Sequence, residues 1–470
     1  MFNPGPNLVA YAVLLSWPVV MLLLLRALGP ARGLVVGLLG GYLLLPPAPA
    51  GVNLPILPLL DRDTVPGLVA LLACVMLYRP AGGWLPQSRI ARVLLAALVA
   101  VPVFTVLTNG DPISQGRVSL PGLRIVEIPA VVIGQLLVVG PYLLGRALLA
   151  DEDNQRFLLW SILVGGLAYS LPMLLEVRLS PQINTWIYGY FQHSFEQMMR
   201  DGGFRPLVFL PHGLWAALFT VTTVLAACGL LRAGIDRQKV PLAAAGAWMM
   251  GVLVLCKSLA SLLYGLFAAP LILFFSTRVQ MRVAAVLAAL TLAYPLARGA
   301  QLVPVDAMVS LAASIDADRA QSLEFRFGNE DILLDRAQER QPFGWGIWGR
   351  NLVYDPESGR ALSISDGRWI IVLGIFGWIG FVGEFGLLAL AVLLAWWRSG
   401  PVPSPVLSAL SLILALNLVD MIPNATLTPL TWLCAGAILG RAELGRVAAS
   451  GLAPGLAQPG VRQPAFRTIL

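Results

Sequence analysis

Residues 322–368 read SLEFRFGNEDILLDRAQERQPFGWGIWGRNLVYDPESGRALSISDGR, the longest polar interval in a chain that otherwise reads as membrane. A run this rich in Arg, Asp, Glu, Trp and Gly must sit in water or line a water-filled cavity, because lipid offers its polar groups no partners. It is therefore the working part, and the remainder is the scaffold that holds it.

The scaffold is read from composition. Of 470 residues, 57% are hydrophobic and 12% charged, and the mean hydropathy is +0.77; soluble domains carry about 25% charged residues. The expected fold class is thus an all-α polytopic membrane protein. The net charge of +7 comes from Arg residues scattered singly between apolar runs. That suits membrane orientation and excludes a basic face for nucleic acid. Cys74, Cys228, Cys256 and Cys434 fall inside apolar runs without metal-ligand spacing, so they read as core residues. Met1–Asn7 carries no basic residue before the first apolar run and no cleavage site follows, so that run is expected to stay as a membrane helix.

A span needs roughly 20 largely apolar residues, which predicts about thirteen helices, some of them short. They centre on 8–27, 32–47, 65–79, 89–108, 126–149, 156–175, 206–231, 240–257, 259–276, 280–298, 369–397, 404–421 and 424–441. Loops rich in Lys and Arg stay in the cytoplasm. Arg26, Arg79, Arg146, Arg232, Arg278, Arg398 and the tail from Arg441 alternate onto one side, which makes the C-terminus cytoplasmic. The segment 1–446 forms one membrane domain, with external loops at about 176–205 and 301–368 and a disordered cytoplasmic tail at 447–470. The centre of the first loop mixes aromatic and polar residues in the manner of an interfacial segment. In the second, Val305 to Ile315 shows helical spacing, and a further helix is predicted from Glu330 to Gln341, capped by Asn329 and stopped by Pro342.

The candidate chemistry lies in these loops. Arg205, Arg326, Arg336, Arg340, Arg350 and Arg368 carry the fork that grips a diphosphate through paired hydrogen bonds. Arg336 and Arg340 lie on a charged helix face and read as partners of Glu and Asp. Arg205, Arg326 and Arg350 adjoin Pro, Gly or aromatic residues and read as diphosphate ligands. Lys257, at a hairpin tip, either joins them or reaches the headgroups. His212, below Arg205, either serves catalysis or donates a hydrogen bond, and Glu384 is either a buried acid or a packing residue. Asp366 stands where the long loop re-enters the membrane, as a general base toward a sugar hydroxyl or as a helix cap; the two readings are compatible. Trp345 and Trp348 offer flat apolar surfaces to pyranose rings.

Taken together, FRPLVFLPHGL (204–214), CKSLASLL (256–263), PFGWGIWGRN (342–351) and DGRWIIVLGIFGWIG (366–380) resemble the O-antigen polymerase and ligase superfamily of bacterial envelope enzymes. The resemblance covers about residues 200–400. It includes a basic-Ser hairpin, where the family usually has Ser-Arg, and a long penultimate external loop. The ligases carry His where this chain has Asp366, which shifts the reading toward a Wzy-type polymerase. The resemblance implies a polyprenyl-diphosphate-linked oligosaccharide as donor, polymerised into an exopolysaccharide, capsule or O-antigen on the periplasmic face of the bacterial inner membrane. It also implies a chain-length regulator and a flippase as partners. Neither cofactor nor metal is expected, and no nucleotide sugar, since no Asp-x-Asp motif is read in a cytoplasmic loop. The rivals are a ligase that moves a finished glycan to a lipid or protein, and a flippase. A flippase calls for pseudo-symmetric halves and interrupted helices, and the sequence displays neither.

Overall fold

The computed structural model describes residues 5–449 apart from 56, 81, 201, 235–237, 316 and 401. The fold is mostly helical, with almost no sheet. Among the described residues, seven helices are long and apolar enough to cross a membrane: α1 (Leu8–Leu44), α3 (Arg89–Leu107), α4 (Ile128–Leu148, with a preceding 3-10 turn), α5 (Glu152–Leu179), α7 (Gly213–Arg232), α10 (Thr277–Gly299) and α13 (Arg368–Arg398). Shorter helices lie between them: α2 (Val65–Leu77), α6 (Ile183–Tyr188), α8 (Lys239–Leu255), α9 (Leu259–Phe274), α11 (Val305–Ile315), α12 (Ala317–Gln338), α14 (Pro405–Asp420) and α15 (Pro429–Ala449). The proposed tail starts inside α15, and from residue 450 onward it lies outside the described residues.

Helices α7 and α14 are buried around nearly their whole circumference. An apolar sequence on every face, such as VLSALSLILAL in α14, suits that central place. Around them α4 and α15 cross closely, because Gly145 meets the backbone of Leu433 and Gly436 meets that of Tyr142. Small residues let helix backbones approach where lipid supplies no hydrophobic drive between helices.

Helix α1 is two arms. Gly29 has φ 78° ahead of Pro30, and beyond it Gly37 packs on Met21 and Gly41 on Trp17, so the chain folds back as the sequence predicts for 8–27 and 32–47. Helix α13 also reverses, at Gly377 (φ 65°). A straight helix would set Arg368 and Glu384 about 24 Å apart, yet the guanidinium donates to the carboxylate at 2.7 and 2.6 Å. The continuous apolar run 369–397 gives no warning of this. These breaks are reversals that build hairpins.

The reversal at Gly377 is splinted by PFGWG. Trp345 and Gly346 donate from their backbone N–H groups to Gly374 and Ile375 (2.8 and 2.9 Å), while Trp378 and Ile379 donate to Gln341 and Pro342 (2.9 and 3.3 Å). Side chains have no room, since a Cβ on Gly344 would collide with the Ile375 carbonyl and one on Gly377 with that of Gln341. Backbone groups freed from the helix thus find partners, as burial away from water requires.

Three expectations are corrected. Helix 206–231 begins only at Gly213. The buried segment before it forms a turn, with Val208 at φ 56° and Leu210 N donating to Leu207 O at 2.9 Å; it is held by Glu176, which accepts from Leu207 and Val208 at 2.8 and 2.7 Å, and by Arg62, which donates to the Phe209 carbonyl. The helix predicted from Glu330 starts earlier, at Ala317, so Asn329 does not cap it; its side chain instead accepts from Ile364 N at 2.7 Å. The loop 176–205 is tied into the bundle, with Ile183, Tyr188 and Tyr190 buried and Tyr188 O accepting from Asn7 N. Two short hairpins complete this end, β1 (Ile113–Gln115) with β2 (Val118–Leu120) and β3 (Met199–Arg200) with β4 (Gly203–Phe204).

Candidate functional site

A cleft of about 650 Å³ opens between the segment 193–215, helix α12, the strand-like stretch before α13 and the turn after α14. It brings together four of the residues singled out by sequence, Arg205, His212, Arg326 and Asp366, with His193 and Arg200 beside them. The chain has only two His, and their rings meet here at 4.5 Å between centroids.

Each side chain is placed by a local device. Arg205 follows the β3–β4 hairpin, its N–H donating to Met198 O at 2.8 Å, and its Nη2 donates to Lys257 O at 3.0 Å. Lys257 lies at the α8–α9 turn with φ 52° and donates from Nζ to Arg200 O at 2.6 Å. It does not line the cleft. It ties the β3–β4 hairpin, and through it Arg205, to the α8–α9 turn.

His212 caps α7, its Nδ1 accepting from Leu214 N at 3.0 Å. In the neutral ring the proton therefore sits on Nε2, which makes that atom a donor. Burial, with His193, Arg205 and Arg326 nearby, pushes the imidazole down to about 3. A ring held neutral, with its only free lone pair already engaged, does not accept a proton from substrate. His212 thus presents an N–H donor to the cleft and Asp366 a carboxylate.

Asp366 is the one carboxylate among the described residues lining the cleft. Its Oδ2 is 3.8 Å from Arg326 Nε, and the two side chains are 42% and 34% exposed. A contact this long between accessible groups leaves both open to a ligand. Asp366 does not cap α13, whose cap position is Gly367. Arg326 projects from α12, and its Nη1 donates to Pro423 O at 3.3 Å. Three guanidinium groups, of Arg200, Arg205 and Arg326, therefore face a single carboxylate, and the cleft favours an anion.

Arg326, Ile364 and Asp366 also line a second cavity of about 360 Å³, whose remaining walls include Tyr264, Leu323, Phe327, Ile370, Val419 and Ile422. Polar cleft and apolar groove thus meet along Arg326 and Asp366. Another cavity of about 650 Å³, between α1 and α5, is lined by apolar residues such as Leu39, Leu43 and Val164 without a basic or acidic side chain. It lacks any means to hold a charged ligand.

Three sequence candidates lie elsewhere. Arg350 is fully buried, donating to the carbonyls of Trp345, Pro121 and Asp111 at 3.2, 2.7 and 3.0 Å. Every arm of its fork is thus engaged in joining the elbow at Gly377 to the loop that carries β1 and β2. Trp345 is buried beneath Arg336, whose Cζ lies 3.3 Å from the ring centroid, and donates to Arg336 O at 2.7 Å. Trp348 is 66% exposed and lies outside the cleft lining. Burial thus corrects the diphosphate role of Arg350 and the sugar-stacking role of Trp345, while Trp348 remains an exposed ring outside the cleft. Arg336 pairs with Glu339 at 2.7 Å as read from sequence, whereas Arg340 pairs not with an acid of its own helix face but with Asp111 at 3.0 Å, on the loop after α3.

Sequence reasoning missed His193, Arg200 and Asn424. His193 carried a signal, as the only other His of the chain, in the same polar loop as Arg205. Asn424 lines the cleft, and its Nδ2 donates to buried Asp420 at 3.1 Å; nothing in its neighbourhood marks it. One expectation is corrected by the sequence itself, since Asp151, Glu152 and Asp153 do form an Asp-x-Asp spacing in a loop read as cytoplasmic. Here Asp151 caps α5 through Asn154 N at 2.9 Å, and Glu152 pairs with Arg441 at 3.3 Å. No protein-family model matches the chain, and no curated protein sequence matches it.

Proposed function

We propose that this protein is a membrane glycosyltransferase that joins polyprenyl-diphosphate-linked oligosaccharide units into a polysaccharide. The observation that carries the reading is the meeting of an anion-favouring cleft with an apolar groove across Arg326 and Asp366. A lipid-linked diphosphate sugar has the same two parts, a charged head and an apolar tail joined at the phosphate. The tail takes the groove, Arg205 and Arg326 hold the diphosphate, and the sugar extends into the cleft toward His193 and Asn424.

In the reaction, the oxygen of an acceptor hydroxyl bonds to the anomeric carbon while the bond from that carbon to the diphosphate oxygen breaks. The electron pair leaves with the diphosphate, and its growing charge is met by guanidinium groups already in place. The hydroxyl proton passes to the Asp366 carboxylate. A diphosphate departs without a general acid, so a single carboxylate suffices for one displacement with inversion. His212 Nε2–H orients the acceptor or the phosphate.

In this reading the cleft faces the periplasm and the opposite end of the bundle faces the cytoplasm. The two arms of α1, with α2, α3, α4, α5, α7, α8, α9, α10, α13, α14 and α15, supply about thirteen crossings. A chain-length regulator and a flippase are its implied partners. The polymerase reading is preferred to the ligase one because an acid, Asp366, stands where the ligases carry His.

The test incubates purified protein with a polyprenyl-diphosphate oligosaccharide in detergent. Longer lipid-linked glycans and free polyprenyl diphosphate are the expected products. Recovery of unchanged substrate, or its movement across liposomes without a new glycosidic bond, would rule the reading out.

A further inference from the structure

The end of the bundle opposite the cleft carries a second concentration of basic residues. Here α10 begins, α13 ends and α15 passes, around the link from Ser399 to Ser404. One recess of about 290 Å³ is lined by Arg278, Arg282 and Trp396, and a neighbouring recess of about 370 Å³ by Arg398, Arg441 and Ser404. The two share Ser399, Gly400 and Pro403. They are therefore adjoining compartments on either side of one ridge, each with a pair of guanidinium groups.

No carboxylate lines either recess among the described residues. Arg441 also reaches Glu152 at 3.3 Å, with both side chains about one-third exposed, and Arg398 donates to Ala442 O at 3.5 Å. Contacts this long and exposed leave the Arg398 and Arg441 forks able to take up an anion.

Distance separates this site from the cleft. Helix α10 begins at Thr277, next to Arg278, and ends beside Arg298, which pairs with Glu330 and Asp331 on α12, 3.5 and 2.7 Å away. Its 23 residues span about 34 Å, roughly the thickness of the hydrocarbon core. The surface next to the recesses is apolar, with Trp396 and Trp397 exposed to 45% and 82% and Val286 and Leu290 exposed along α10. Trp beside Arg at a helix end marks the headgroup level of a bilayer, with acyl chains below it.

We propose that the paired recesses bind the phosphates of an anionic phospholipid, and that a lipid with two phosphates bridged by glycerol fits best, one phosphate to each Arg pair. The planar forks of Arg suit phosphate oxygens, and the acyl chains would lie along Trp396 and α10. This inference needs only that the chain sits in a membrane and is independent of the catalytic reading.

The test uses the full-length protein purified in neutral detergent, with native mass spectrometry to count bound lipid. Diphosphatidylglycerol should be retained in preference to phosphatidylglycerol, and that in preference to phosphatidylcholine. Arg278→Gln with Arg282→Gln, and separately Arg398→Gln, should each weaken retention of the two-phosphate lipid by about tenfold. Inorganic phosphate at equal concentration should not displace it; displacement would mean a site for free phosphate and would overturn the lipid assignment. If the variants fail to purify as single species, the wild type decides alone, since equal retention of diphosphatidylglycerol and phosphatidylcholine contradicts the proposal.

Discussion

Arg326 and Arg350 belong to one polar interval, and by sequence they stand as equals, each a lone cation beside aromatic or Gly residues. In the structure they part. Arg326 keeps an accessible fork at the seam between cleft and groove, 3.8 Å from its nearest carboxylate. Arg350 spends its fork on three carbonyls and is sealed from solvent. The difference teaches that a guanidinium becomes a ligand site only where neighbouring backbone leaves it unsatisfied, and that decision is made by distant parts of the chain. The partners of Arg350 at Pro121 and Asp111 lie 229 and 239 residues away.

The sharpest way to break the contrast is at the cleft. Asp366→Asn removes the proposed base while keeping size and hydrogen bonding, so it should lower kcat by about 10²–10⁴-fold with KM for the lipid donor little changed. Equal kcat in the variant would remove Asp366 from the chemistry. On the other side of the comparison, Arg350→Ala should cost about 2–4 kcal/mol of stability, because three buried carbonyls lose a charged donor. Activity per folded molecule should stay at the wild-type level; a stable variant with lost activity would return Arg350 to the site.

A smaller effect sharpens the role of His212. Its imidazole titrates near 6.5 in the unfolded chain and is held down to about 3 in the fold. As pH falls below about 6.5 the unfolded state takes up a proton that the folded state refuses, so stability drops progressively through that window. The thermal midpoint of wild type should therefore fall between pH 7.5 and pH 5, and His212→Gln should flatten the fall. An identical slope in both proteins would show that His212 is not held neutral. Smallest of all, Trp348→Ala should change stability by no more than about 0.5 kcal/mol and leave turnover unaltered, since the ring is largely in solvent. A marked rise in KM for the glycan would reinstate it as a sugar platform.

Much of the scaffold is legible in sequence, because a run of apolar residues long enough to cross lipid has few other uses. The split of α1 is legible too, through Gly29-Pro30. By contrast, the reversal of α13 at Gly377 is hidden in an unbroken apolar run and depends on PFGWG returning from earlier in the chain. The late start of α7 is hidden for a similar reason. LVFL reads as helix, and side chains outside it, Glu176, Arg62, Tyr169 and Gln192, hold it in a turn instead. At the cleft, Arg205, His212 and Asp366 are legible as ionisable residues near the rims of apolar runs, and Arg326 as a lone cation in the polar interval. Asn424 was not, since a lone amide in a turn announces nothing until Asp420 is seen to orient it.

The central claim is that the accessible guanidinium of Arg326, and not the sealed one of Arg350, grips the lipid diphosphate. Its direct test is the dissociation constant of an unreactive polyprenyl diphosphate for wild type, Arg326→Ala and Arg350→Ala, each measured per folded molecule. The account predicts that Arg326→Ala weakens binding by about tenfold or more while Arg350→Ala binds as wild type does. Undiminished binding by Arg326→Ala, or a loss confined to Arg350→Ala, would contradict it.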